Sequence, residues 1–114
     1  MEIKTDDYSV WYEPTTATVN FQGLLRLPGI PDYEPIVQLL NDVTEQEPAT
    51  ITMNLQKLKF LNSSGMSVLS RFVIGVRKKK TIELVVKGSP GVSWQEKSLS
   101  NWQRLMPALS QVWE

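Results

Sequence analysis

An α/β fold with a largely parallel sheet is what this 114-residue sequence predicts, and three observations point to it. From residue 35 onward, helix-type and strand-type patterns alternate, as βαβ units require. Two strand-type stretches stand ahead of them, joined by a short link that contains Pro14. Hydrophobic residues make up 41% and charged ones 21%, the balance of a globular chain with one core. Residues 1–114 therefore read as a single domain of order β-β-α-β-α-β-α, with a last short strand as an option. Right-handed crossovers would make the sheet mixed, helices packed against it, and the first strand an antiparallel edge.

Tyr8 to Glu13 is aromatic and β-branched, and Pro14 stops it, so it reads as a strand. Thr16 to Leu27 alternates at Val19 and Phe21 and again at Leu25 and Leu27. Gly23 between these pairs marks a bulge or bend. Pro28 to Asp32 is a loop. Pro35 suits a first helical turn, and Ile36, Leu39, Leu40 and Val43 follow at helical spacing until Glu45 to Pro48 closes the helix. Thr50 to Leu55 alternates as a strand. Gln56 to Leu61 reads as a connection whose Leu58, Phe60 and Leu61 pack down onto the core. Met66, Leu69, Val73 and Val76 form one apolar stripe on a helix that Arg77 to Lys80 closes, with cations at the negative end of its dipole. Ile82 to Val86 is a short, apolar, central strand, and Gly88 to Gly91 is a turn. Trp94 to Met106 is a helix, ended by Pro107. The tail fits a helical period at Leu109 and Val112, but the proline favours a short strand.

Composition excludes whole classes of chemistry. The chain has no cysteine and no histidine, so disulfides, thiol nucleophiles, histidine triads and Cys/His metal sites are impossible. No phosphate-binding or dinucleotide glycine motif is present, and no carboxylates stand at metal-ligand spacing. An enzyme, a cofactor and a metal are not expected. The acidic, polar start is unlike a signal peptide, and no apolar run could span a bilayer; a cytoplasmic chain without membrane association is expected. Charge is balanced overall but divided along the chain. Residues 1–50 carry nine acidic and two basic side chains, and residues 51–114 carry three and ten. The division means either steering toward a complementary partner or acidic and basic elements side by side in the fold. The basic run 77–80 reads as a solvated helix end, so nucleic acid is not an expected partner. Of the four tryptophans, Trp102 suits the core, whereas Trp94 and Trp113 could serve either packing or an interface.

One segment stands out, Leu61-Asn62-Ser63-Ser64-Gly65-Met66. Small hydroxylic residues sit where a connection enters a helix, and Asn and Ser are both preferred N-caps. A helix N-terminus presents free N–H groups and the positive end of a dipole, so a phosphate added there is accommodated. It would bring about −1.5 to −2 charges to any surface docked over it. The alternative is plain structure: Ser63 caps the helix and Gly65 allows close packing.

The strand Ile51-Thr52-Met53-Asn54-Leu55 followed by Phe60-Leu61-Asn62-Ser63-Ser64-Gly65-Met66, within this order of elements, resembles the STAS domain family. More narrowly it is similar to the bacterial single-domain anti-sigma-factor antagonists (anti-anti-sigma proteins). Those proteins carry Asp-Ser-Ser/Thr-Gly where this variant branch has Asn-Ser-Ser-Gly. The specific part spans residues 50–71. The resemblance implies a non-catalytic partner switch in signal transduction and transcription regulation. Unphosphorylated, it would bind an anti-sigma factor or a serine/threonine kinase of the anti-sigma type; phosphorylated on Ser63, it would let go. A PP2C-like phosphatase would restore it. Asn62, Ser64, Gly65, Ser67, Ser70 and Arg71 would meet the partner. Asn62 keeps the capping oxygen of the usual Asp but not its charge. The alternatives are a constitutive STAS-type scaffold and a module that senses a small anion or nucleotide at the same helix start.

Overall fold

A computed structural model describes residues 2–114. Its elements are β1 (Glu2–Lys4), β2 (Tyr8–Glu13), β3 (Thr18–Leu25), α1 (Glu34–Glu45), β4 (Thr50–Leu61), α2 (Ser63–Lys79), β5 (Glu83–Gly88), α3 (Gln95–Leu105) and β6 (Ser110–Trp113). A 3-10 turn, Ile30–Tyr33, leads into α1. The expected order is therefore present, and the tail after Pro107 forms the short sixth strand. One strand escaped the sequence. β1 pairs antiparallel outside β2, so Tyr8–Glu13 is not the edge. Three residues, two of them charged, carry too little pattern to announce a strand.

The six strands lie in chain order, β1-β2-β3-β4-β5-β6. β1, β2 and β3 are antiparallel neighbours, and β3 through β6 run parallel. Each parallel step advances one place in the same direction through a right-handed crossover, which puts α1, α2 and α3 on one face. Strand side chains on that face are sealed: Val10, Val19, Phe21, Ile51, Met53, Leu84 and Val86 are at most 2% exposed. Against them α1 packs Ile36, Leu39, Leu40 and Val43, α2 packs Val68, Leu69, Phe72, Val73 and Val76, and α3 packs Leu99 and Trp102. Trp102 is in the core, as its helical position predicts. Its indole N–H donates to Ser70 Oγ at 3.0 Å.

Gly23 makes the expected irregularity. Its φ is +94°, and a Cβ there would run into the carbonyl oxygen of Asp7. The next N–H, of Leu24, donates to that carbonyl at 2.9 Å. The β3–β4 register shifts on either side of this point, between Asn20 and Gln22 and between Gly23 and Leu24.

The stretch 56–61 is not a connection. β4 runs on through it to Leu61, paired with the far end of β3. Leu58 and Leu61 are buried as expected, but Phe60 is 46% exposed. The reason is the irregular pairing, which breaks strict alternation and turns Phe60 outward. Carbonyls loosened along this segment are satisfied by α3. Buried Gln95 donates from Nε2 to Leu55 O (2.6 Å) and Leu58 O (3.2 Å), and Trp94 donates to Leu58 O at 3.2 Å. Trp94 is thus half-buried packing, while Trp113 stays 37% exposed beside Gly88.

α2 ends at Lys80, which adopts the left-handed conformation (φ 62°) that glycine normally supplies at a helix end. Lys80→Gly should stabilise the fold by about 1 kcal/mol, read as a higher urea midpoint with an unchanged m-value.

Candidate functional site

The start of α2 is built by one side chain. Asn62 is the N-cap, with extended backbone (φ −80°, ψ 175°). Its Oδ1 accepts from the Gly65 N–H at 2.9 Å, and its own carbonyl accepts from the Met66 N–H at 2.9 Å. The same Oδ1 accepts from the Tyr33 hydroxyl at 2.7 Å. Its Nδ2 donates to the Leu27 carbonyl at 2.8 Å, and its backbone N–H donates to the Leu25 carbonyl at 3.0 Å. Asn62 therefore ties the end of β3, the following loop, the start of α1 and the start of α2 into one joint. The capping role expected of either Asn62 or Ser63 belongs to Asn62.

An aspartate would keep the two acceptor contacts and lose the donor to Leu27. Its second oxygen would face that carbonyl oxygen. This explains asparagine where the resembling family has an acid: the Leu25–Pro31 loop offers an acceptor there and not a donor.

Ser63 is the first residue of α2 and is exposed. No hydrogen bond of the cap uses its hydroxyl; only its carbonyl is engaged, accepting from Ser67 Oγ at 3.2 Å. Ser64 is half-buried, and Ser67 and Arg71 are exposed. Ser63, Ser67 and Arg71 stand four residues apart and share one face of α2.

Two other residues expected at a partner surface lie elsewhere. Gly65 is buried under Leu61 and Tyr33: a Cβ there would overlap the Leu61 side chain and come within 2.8 Å of the Tyr33 hydroxyl oxygen. It shapes the joint from beneath. Ser70 accepts from Trp102 and so faces α3, its oxygen already used. Both follow from the helical period, which turns positions 65 and 70 away from the row that holds 63, 67 and 71.

Tyr33, essential to the joint, carried no signal beyond its place before Glu34-Pro35. It is 1% exposed, and burial holds its phenol above the ordinary value of 10.0. Among the described residues, no group of three carboxylates comes together as a metal site. No helix there is long and apolar enough to cross a membrane.

No protein-family profile and no curated protein matches the sequence. Solved structures do match the fold. A chain of the complex of the diguanylate cyclase SiaD with its activator SiaC, from Pseudomonas aeruginosa, superposes with a TM-score of 0.77 at 7% identity, over 100% of this chain and 99% of that one. SiaC of Pseudomonas aeruginosa gives 0.70 at 9% identity, covering 99% and 93%. The Bacillus cell fate determinant SpoIIAA, in its phosphorylated form, gives 0.59 at 18% identity, covering 92% and 90%. The chain has a STAS-like fold. At these identities the likeness is one of architecture: mixed sheet, helices on one face, and a helix opening after the long central strand.

Two outcomes follow from the joint. Asn62→Asp should lower stability by about 1–2 kcal/mol despite placing an anion at a helix N-terminus, because the lost donor and the opposed oxygens outweigh the dipole's preference; a urea melt at neutral pH reads this. Alkaline titration should also weaken the fold. The Tyr33 pKa is raised in the folded state, so its contribution is full below pH 10 and is lost as pH climbs past 10 toward the folded-state pKa. Tyr33→Phe should flatten that part of a stability-against-pH curve.

Proposed function

We propose that this chain is a non-catalytic protein-interaction switch of the anti-sigma-factor-antagonist type, with Ser63 as its phosphoacceptor. The observation that carries the reading is the exposed, uncommitted hydroxyl of Ser63 at the first position of a 17-residue helix whose start is capped by Asn62. A kinase can reach such a group without unfolding anything. Of the first N–H groups of α2, those of Gly65 and Met66 are taken by Asn62. Those of Ser63 and Ser64 have no intrahelical partner, and they favour an anion at this end. Phosphorylation would therefore leave the fold intact and change only the surface.

Unmodified, the chain binds its partner across the face holding Asn62, Ser64, Ser67 and Arg71. Phosphorylated, it releases it, because the docked surface would have to bury an unpaired dianion. The partner is an anti-sigma factor or a serine/threonine kinase of the anti-sigma type, with a PP2C-like phosphatase resetting Ser63. The fold-mates support a regulatory role: SpoIIAA has been solved phosphorylated, and SiaC is an activator of a diguanylate cyclase. A nucleotide cyclase therefore joins the partner classes worth testing.

The experiment is a pair of binding isotherms with the partner recovered by affinity from the producing cell, alongside phosphopeptide mapping. Ser63→Asp should weaken binding roughly tenfold or more, and Ser63→Ala should leave it unchanged. Equal affinities for all three proteins, with Ser63 never phosphorylated, would leave a constitutive scaffold instead. A thermal shift with nucleotides or polyphosphate that disappears in Ser63→Asp would point to an anion sensor.

A further inference from the structure

Gly75 lies in the middle of α2 and has no reason to be glycine within this chain. Its φ is not positive, and a Cβ built on it meets nothing within 4 Å. Gly65, ten residues earlier in the sequence, is the opposite case, since there a Cβ collides. Apart from proline, glycine is the least favoured residue in a helix interior. Alanine at 75 would fit the space and make the better helix. The missing side chain keeps a groove open. That groove, about 200 Å³, runs between α1 and α2 and is lined by Val37, Leu40, Val68, Phe72 and Gly75.

Three charged residues line the groove: Glu45 on α1, and Arg71 and Lys79 on α2. At the far end Lys79 and Glu45 close on each other at 3.3 Å. The other ion pair among the described residues is Arg26–Asp7, so Arg71 stands at the rim without a carboxylate. Ser63, Ser67, Arg71, Gly75 and Lys79 fall at four-residue intervals, one row along α2 from the proposed phosphoacceptor into the groove.

We propose that this groove is the docking site for an amphipathic helix of a protein partner, its apolar ridge seated over Gly75 and carboxylates on its flank toward Arg71 of α2. A helix fits because glycine in a helix wall lets another backbone approach closely, and two packed helices leave a trough that takes a third. The unpaired guanidinium of Arg71 fixes which flank of that helix faces α2. The proposal rests on the reading of the chain as a protein-binding switch and deepens it. A phosphate on Ser63 heads the same row and sets like charge against the carboxylate flank.

The test is a photo-crosslinking residue, p-benzoylphenylalanine, at exposed Asn41 on the groove rim, irradiated in the producing cell, with the joined peptide sequenced by mass spectrometry. The adduct should fall on a segment with helical apolar periodicity and acids on one flank. A synthetic peptide of that segment should bind the unmodified protein, and Gly75→Leu and Arg71→Glu should each weaken it roughly tenfold. Gly75→Ala should raise the melting temperature by roughly 2–5 °C. No adduct, an adduct to a second copy of this chain, an adduct to a segment without that pattern, or undiminished binding by both variants would overturn the proposal. So would a lower melting temperature in Gly75→Ala, because the glycine would then serve the chain itself. The two readings fail separately. If Ser63→Asp binds the peptide as well as the unmodified protein while Gly75→Leu does not, the groove stands and the phosphoswitch falls.

Discussion

The hydrogen bonds of Asn62 hold this molecule's functional end together. Four chain segments meet there: the end of β3, the loop through Leu27, the turn carrying Tyr33, and the first turn of α2. No covalent link or metal does this work, and the chain has no cysteine or histidine to supply one. Each bond is worth about 1 kcal/mol net, but leaving any of these buried partners unpaired costs more than its bond supplies. The joint is therefore close to all-or-none. The proposed switch rests on this joint, because it is what holds exposed Ser63 at the first position of α2.

The winding of the sheet decides what else is available. Parallel sheets are usually covered on both faces. Here the strands advance in one direction, so all three helices share a face and the other is left to side chains alone. Across it, Thr18, Thr52, Val85 and Ser110 align in one row and Asn20, Asn54, Lys87 and Val112 in another. Asn54 donates to Asn20, which donates to Glu13, so the polar groups satisfy one another. A parallel sheet tolerates this exposure because its bare face is polar and internally bonded. The helical face carries both the Ser63 row and the α1–α2 groove on which the two proposals rest.

Much of the architecture was legible because it rests on local periodicity. The stripes of α1 and α2, the alternation in β3 and the first half of β4, and the glycine irregularity at 23 are each written in neighbouring residues. The errors have a common cause. β1 is too brief, and the end of β4 too irregular, to show a period; both are defined by pairing with another strand. The inward place that the sequence suggests for Phe60 fails for the same reason. The resemblance puts Gly65 and Ser70 at the partner surface with Ser63, whereas the helix turns them under Leu61 and toward α3.

By itself the sequence determined the class of fold, the exclusion of thiol and imidazole chemistry, and the position of a hydroxyl at a helix start. These depend on residue type and short-range spacing, which a chain carries wherever it goes. Only the tertiary structure decided that Asn62, not Ser63, caps α2, that Tyr33 and the Leu27 carbonyl complete the joint, and that α1 and α2 leave between them a groove lined by Gly75 and Arg71. Apart from the cap itself, those relations join residues about 30 or more apart in the chain. They come into being only when right-handed crossovers lay consecutive helices side by side.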